Sequence, residues 1–529
     1  MKKKTMGLGL ILLVLISLAF LTQHKKSSYS NNKNSKLLNV SHKVYTAQKY
    51  VTNKKYNDRV FYEIFVRAFN DSNGDRIGDL KGVTEKLDYL KDLGVSGIWL
   101  MPINASPSYH GYDISDYYSI QQDYGTMDDF YNLINEAHKR DIAVFMDLVI
   151  NHTSSKNPMF IESANNKKSK YRNYYNWTND KGVINEHSTI GTMPWVYKNN
   201  SFYYAMFDQG MPDLNYDNKN VRAEVKNIAK YYLNMGVDGF RLDAAKHIYD
   251  GNTNKNLQWW KEFETYIKGV NKSAFAVGEV SDNKDVVANY MTSLDSCFDF
   301  ELSTDILDTV KNDNINELGT EINDVYKSYK SKNKDYNDST FLSNHDFERV
   351  MSRLNSVDKC KEAAAILLTL PGTPYIYYGE ETGMTGAKPD ENIRQPFIWS
   401  NKDKNKNTYW EEIYNDKNLV AVNVQEANKN SLLNFYKTFI KIRNNNEALR
   451  NGSFENIDEG KSNIFAFKRS SGKEEIYTMI NGDQDSKCTG LPSMNAQVIY
   501  SSDGNNQDLN ITGTLNLKKN QILVVKRKN

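Results

Sequence analysis

The chain has 529 residues, with 67 Lys+Arg against 65 Asp+Glu for a net charge of +2. At 39% hydrophobic and 25% charged it has ordinary globular composition, which excludes a collagen-like chain, a polytopic membrane protein and a wholly disordered one. A balance this near zero argues against nucleic acid as the main partner, and the length predicts two or three domains.

The N-terminus opens with Lys2-Lys3-Lys4 and an apolar run from Met6 to Leu21, the layout of an export signal. Residues 1–26 are therefore expected to be a signal peptide or an uncleaved N-terminal membrane anchor. The protein is then extracellular or held at the cell surface. The small-residue site Ser17-x-Ala19 lies inside the apolar run, so both cleavage and retention fit. Residues 27–55 are rich in Asn, Ser and Lys and read as a polar linker. The three cysteines, Cys297, Cys360 and Cys488, form neither a metal-type pair nor a disulfide framework.

Short β-rich runs then alternate with helix-like stretches. The predicted strands are Val60–Val66, Ser96–Met101, Ala143–Leu148, Gly239–Asp243, Phe275–Glu279, Cys297–Phe300, Thr340–Ser343 and Tyr375–Tyr378. Strands this apolar are buried parallel strands, and eight β-then-helix units predict a closed (β/α)8 TIM barrel. Val221–Met235 has helical periodicity, and Gly94 and Gly236 stand where a helix stops just before a strand. After the first strand, Asp71-Ser72-Asn73-Gly74-Asp75-Arg76-Ile77-Gly78-Asp79 places oxygen groups at alternate positions. Alone, that run is either a solvated turn or a loop for a hard cation.

Asp147 and Asp243 end the third and fourth strands yet lie 96 residues apart. One βαβ connection needs only about 35 residues, so a domain is inserted after strand three. Beyond residue 449, short runs punctuated by Gly and Asn predict an antiparallel β-domain. The expected layout is a barrel over 56–152 and 210–448, an insertion over 153–209, and a C-terminal β-domain over 449–529.

Reactive groups of a parallel barrel sit at the C-terminal ends of its strands. Four such ends here carry carboxylates: Asp147, Asp243, Glu279 and Asp346. Arg241 and Asp243, two apart on a strand, share the inner face. The guanidinium favours an ionised Asp243, as a nucleophile needs. Glu279 follows Phe275-Ala276-Val277-Gly278, an apolar approach that raises a carboxyl pKa and suits a general acid. Such a pair of carboxyls is the arrangement of glycoside hydrolysis. His152 and His345 are placed to bond sugar hydroxyls, and the spacing of His and Cys does not suggest zinc.

With these residues in hand, the chain resembles the α-amylase family of glycoside hydrolases, family 13, from Arg59 to the C-terminus. The matching phrases are Asp147 to His152, Gly239 to His247, Val277-Gly278-Glu279-Val280, Asn344-His345-Asp346 and Met211-Pro212-Asp213-Leu214-Asn215. The last looks intermediate between the oligo-1,6-glucosidase-like and neopullulanase-like branches. The resemblance implies a barrel with inserted domain B and a C-terminal β-sandwich. It implies Asp243 as nucleophile, Glu279 as general acid/base and Asp346 as transition-state stabiliser. Tyr112, Arg241, His152 and His345 would hold the sugar at the cleavage point, with Lys246 and His247 on the leaving-group side. It also implies Ca²⁺ in the loop after the first strand, bound by Asp71, Asn73, Asp75, Asp79 and the Ile77 carbonyl. Exo-acting relatives carry an Asp where this chain has Tyr109, and neopullulanase-like ones an extra N-terminal domain. The expectation is a monomeric α-amylase cutting internal α-1,4 bonds of α-glucans; an α-glucosidase, a neopullulanase or a transglycosylase is the alternative.

Overall fold

The computed structural model describes residues 42–528 apart from 49, 51, 53, 404, 406, 458–461 and 483. The expected export segment lies outside the described residues, as does the first part of the expected linker. Among the described residues no helix is long and apolar enough to cross a membrane.

Eight parallel strands close into a barrel. They are β1 (Phe61–Ile64), β2 (Gly97–Leu100), β3 (Ala143–Leu148), β4 (Gly239–Leu242), β5 (Phe275–Gly278), β6 (Ser296–Phe298), β7 (Asn337–Phe341) and β8 (Thr373–Tyr377). Each strand pairs with its neighbours in sequence and β8 closes onto β1. Residues two apart face the same way. Phe61, Trp99, Phe145, Val277, Phe298, Phe341 and Tyr375 therefore fill the interior, while Tyr62, Ile98, Val144, Phe240 and Ala276 pack against the helices. Gly97 makes room for this filling, since a Cβ there would stand 2.4 Å from the Phe61 ring. Gly94 and Gly236 end their helices with φ of 97° and 115°. In that left-handed region glycine carries no steric penalty.

Two departures from the sequence reading stand out. Strand β7 begins three residues before the expected Thr340, at Asn337. Its polar start is accommodated because Ser339 faces the barrel floor, where the Tyr56 hydroxyl bonds it at 2.8 Å. The stretch from His42 is also not a free linker. Its residues dock on the barrel wall: His42 stacks on Tyr118 at 4.3 Å and Tyr50 on His138 at 4.1 Å. Tyr50 and Thr52 both donate to the Asp141 carboxylate.

Between β3 and β4 the chain forms a three-stranded antiparallel sheet from Trp177–Thr178, Ser201–Tyr204 and Trp195–Lys198. At the C-terminus a six-stranded antiparallel sheet runs Ser453–Asn456, Ile464–Ser471, Glu474–Asn481, Ile522–Arg527, Met494–Ser501, Leu509–Ile511. Side chains alternate between its two faces, with one irregularity between Val498 and Tyr500. Phe465, Phe467 and Val524 pack toward the barrel, whereas Ile464, Ala466, Leu523 and Val525 form a second core on the other face.

Candidate active site

Arg241 organises the mouth of the barrel. Its buried guanidinium donates from Nη1 to Asp147 at 2.9 and 3.0 Å and to Asp243 Oδ1 at 2.6 Å. Its Nη2 lies 2.9 Å from Glu279 Oε2. Asp147 belongs to β3, Arg241 to β4, and Asp243 and Glu279 follow β4 and β5 directly. Ala244 then turns the chain through a left-handed conformation at φ 48°. That is a strained state for alanine. It aims the Ala244 N–H at Glu279 Oε2, 2.8 Å away.

Three carboxylates share one guanidinium in a buried site. Burial pushes Asp147 up to about 7 against the pull of Arg241. Burial likewise raises Asp243 and Glu279, opposed by Arg241 and reinforced by Asp346. Sequence reasoning weighs Arg241 alone for Asp243; in the fold, desolvation outweighs it. The apolar surround expected for Glu279 is also absent, because Arg241 and the Ala244 amide both reach it. Desolvation and the mutual repulsion of the three carboxyls favour a protonated form in this cluster, against the pull of Arg241. The shorter bond favours charge on Asp243. Both contacts to Glu279 fall on Oε2, so Oε1 is the oxygen placed to carry the proton.

A second network adjoins the first. The Tyr112 hydroxyl donates to Asp147 Oδ2 at 3.1 Å, and its ring stacks on His345. His345 Nδ1 donates to Glu63 Oε1 at 2.6 Å. Its Nε2–H is shared between the Tyr112 hydroxyl at 2.6 Å and Asp346 Oδ2 at 3.1 Å. Burial opposes a charge on His345, but Asp346 and Glu63 prevail and raise it to about 9. Burial opposes charge on Asp346 too, yet His345 and Arg394 hold it well below the carboxylate range. Arg394 Nη2 donates to Asp346 Oδ1 at 2.9 Å. Asp346 is thus a fixed negative charge.

His152 stands at the edge of this cluster. Burial lowers it to about 4, so the ring is neutral and its Nε2–H donates to the Tyr112 carbonyl at 3.0 Å. Lys246 is tied to the loop after β5 through the Ser281 carbonyl and Asp282. His247 lies 3.6 Å from Asp250 and carries the Phe207 ring on its edge. The fold therefore brings Tyr112, Arg241, Asp243, Glu279, His345 and Asp346 into one network, with His152, Lys246 and His247 around it.

Sequence reasoning misses Glu63, Arg394 and Phe207. Glu63 had a signal: it is a lone acid in an apolar strand, buried at every position. Arg394 and Phe207 sit in irregular polar stretches with no periodicity to mark them.

The loop after β1 is compact. Asp71 accepts the amides of Asn73, Gly74 and Arg76 at 2.7–3.0 Å. Asn73 Oδ1 accepts Asp75 N–H, and Asp75 accepts Ile77 N–H. Asp79 accepts from Ser72 and caps the helix Leu80–Glu85 through the Gly82 amide. Among the described residues no group of three or more His, Cys, Asp or Glu stands as a metal centre. The donor set is nonetheless one of hard oxygens, carboxylates with an amide and the Ile77 carbonyl, and its chemistry fits calcium.

A TIM barrel whose strand ends converge a set of buried carboxyls on one guanidinium has the layout of a glycoside hydrolase of the two-carboxylate type. Residues 63–452 match the family model of the alpha-amylase catalytic domain, and the chain belongs to the α-amylase family, glycoside hydrolase family 13. It is 47% identical over 430 residues to Alpha-amylase 3 of Dictyoglomus thermophilum, covering 80% of this chain and 85% of that one. It is 32% identical over 504 residues to an oligo-1,6-glucosidase of Bacillus cereus, covering 80% and 90%. The crystal structure of an alpha-amylase from H. orenii superposes with a TM-score of 0.83 at 40% identity, covering 89% and 99%. The spread of names fits the intermediate subgroup that Met211-Pro212-Asp213-Leu214-Asn215 suggests.

Proposed function

We propose that this enzyme is an exported, retaining α-amylase that cleaves internal α-1,4 bonds of starch and maltodextrins. The observation that carries the reading is the sharing of Arg241 by Asp243 and Glu279. Asp243, ionised, attacks the anomeric carbon while Glu279 gives its proton to the departing glycosidic oxygen. A glycosyl–enzyme ester forms on Asp243. Glu279, now a base, takes a proton from the water that attacks the same carbon, and Asp243 is released with configuration retained. Asp346 and the His345 imidazolium bond sugar hydroxyls, and the Asp346 charge offsets the positive charge developing on the ring. Tyr112 provides a stacking face at the cleavage point.

Internal cleavage is supported by Tyr109, which stacks on Trp410 at 5.2 Å where an exo-acting relative has a carboxylate. Without that charge nothing at this position clamps a chain end. Asp71, Asn73, Asp75, the Ile77 carbonyl and Asp79 would hold Ca²⁺, which when bound neutralises the loop and ties it together. Export rests on the basic and apolar N-terminal segment.

Digestion of soluble starch tests the activity. Early release of mixed maltooligosaccharides with a fast fall in iodine staining is expected. Glucose released from chain ends alone would overturn the endo reading.

A further inference from the structure

On the outer wall of the barrel, β6 and β7 bring four side chains into a square. Cys297 of β6 pairs with Asp338 of β7. Just beyond, the Asp299 N–H donates to the Ser339 carbonyl at 3.1 Å, which sets Asp299 beside Thr340. Phe298 and Phe341 fill the interior and Ser339 meets Tyr56 there, so Cys297, Asp299, Asp338 and Thr340 face the helices. Tyr326 and Tyr329, three apart on the helix Leu318–Lys332, share one face of it. Their rings meet Tyr336, the residue before β7, at 6.2 and 5.6 Å. Both hydroxyls lie in the field of Asp299 and Asp338.

Six oxygens of this group are buried and have no hydrogen-bond partner among the described residues. They are Asp299 Oδ2, both carboxyl oxygens of Asp338, Thr340 Oγ1 and the hydroxyls of Tyr326 and Tyr329. None of the five residues is more than 9% exposed. Asp299 Oδ1 is engaged, capping the helix Phe300–Asn312 through the Leu302 amide at 2.9 Å. The Tyr329 hydroxyl is turned toward Asp299 without closing a bond of normal geometry. Oxygens left unmet in a low dielectric are costly. The cations whose fields reach the group are engaged elsewhere. Lys284 bonds Glu301 at 2.8 Å, and Arg469 donates to the carbonyls of Thr369, Gly452 and Ser453. Burial and then Asp299 raise Asp338 well above the carboxylate range, and burial raises Asp299 to about 6. Near neutral pH this favours a single negative charge, on Asp299.

We infer that Asp299, Asp338, Thr340, Tyr326 and Tyr329 form a binding site for a monovalent metal cation, Na⁺ or K⁺. The donors are all hard oxygens, and hard cations take about six or more of them. One ionised carboxylate balances one positive charge, while the other oxygens complete the shell as neutral ligands. The bound ion ties β6, β7 and the helix Leu318–Lys332 together. It lies on the helix side of the strands, across the wall from the barrel interior, so its effect is on stability.

The test compares thermal midpoints of the whole enzyme in NaCl, KCl and tetramethylammonium chloride at equal ionic strength. Ca²⁺ is held constant, so the loop after β1 contributes equally to every arm. A higher midpoint in NaCl or KCl is expected, with a gap that widens as the salt concentration rises. Asp299→Asn keeps an acceptor for the Leu302 amide but removes the charge, and should abolish the gap. Tyr329→Phe keeps the ring and removes one ligand oxygen, and should weaken the apparent affinity by at least about tenfold. Should Asp299→Asn fail to fold, Tyr329→Phe and the wild-type comparison still decide. Equal wild-type midpoints in the three salts overturn the inference and leave a shared proton or bound water to meet these oxygens. A gap that persists unchanged in the variants also overturns it, because the cation then acts elsewhere.

Discussion

The Arg241 guanidinium lies 2.6 Å from the Asp243 carboxylate while its other nitrogen reaches Glu279 at 2.9 Å. One cation thereby couples two carboxyls whose proposed roles, nucleophile and general acid, require opposite ionisation. Removing the charge of one leaves Arg241 to the other and to Asp147. Asp243→Asn is expected to lower kcat on maltodextrins by about 10³-fold or more, with the thermal transition little changed. Retention of even a tenth of the activity would remove Asp243 from the nucleophile's role.

His345 predicts the alkaline limit of stability. Its folded pKa of about 9 lies above its ordinary 6.5, so the stability from its pairs with Glu63 and Asp346 is complete below pH 6.5 and lost as pH rises through 9. Asp147, raised to about 7, has the same sign but an earlier window, its loss of stability running from its ordinary 3.8 up to about 7, so that it adds only at the acid end of the range. Thermal midpoints measured from pH 6 to 10 should fall along that window. In His345→Gln the fall should be shallower.

Glu63 is a positioning residue for His345. Glu63→Gln keeps a hydrogen-bond acceptor but removes the charge that sustains the imidazolium. The expected result is a loss of about 10–100-fold in kcat/KM, the usual scale for a supporting partner. The alkaline limb of the pH–rate profile should also move toward neutrality. A uniform loss with an unmoved profile would indicate a packing role alone.

Chelation addresses the loop after β1. If it holds calcium, EDTA lowers the thermal midpoint, added Ca²⁺ restores it, and calorimetric titration of the chelated enzyme shows binding. Asp71→Ala combined with Asp75→Ala should abolish the dependence. A midpoint indifferent to EDTA in the wild type would assign the loop to its amide network alone.

Gly97→Ala tests the packing of the barrel floor. A Cβ at this position would lie 2.4–2.7 Å from three atoms of the Phe61 ring, which is itself fully buried. Overpacking of this kind costs about 1–3 kcal/mol. Faster thermal inactivation is expected, with KM unchanged.

Much of the fold was legible because its signals are local. Buried parallel strands are continuous apolar runs, and helices before them end at Gly94 and Gly236, where a left-handed residue is needed. Strand β7 starts earlier than its apolar residues indicate, with Asn337-Asp338-Ser339, whose polarity hides a strand until Tyr56 is seen to reach Ser339 from below. The docking of His42, Tyr50 and Thr52 is hidden for the same reason, since polar residues such as Tyr50 and Thr52, which bond to Asp141, look like a linker in one dimension.

By itself the sequence determined the barrel, the strand ends that bear Asp147, Asp243, Glu279 and Asp346, and the placement of Arg241 beside Asp243. These follow from period, chain direction and spacing. Only the tertiary structure decided the charges. Glu63 lies 282 residues from His345, and Arg394 reaches Asp346 from beyond β8. A pKa depends on burial and on every charge within a few ångströms, whatever their separation along the chain. The balance that holds Asp346 low, raises His345 and raises Asp147, Asp243 and Glu279 therefore exists only once the barrel has closed.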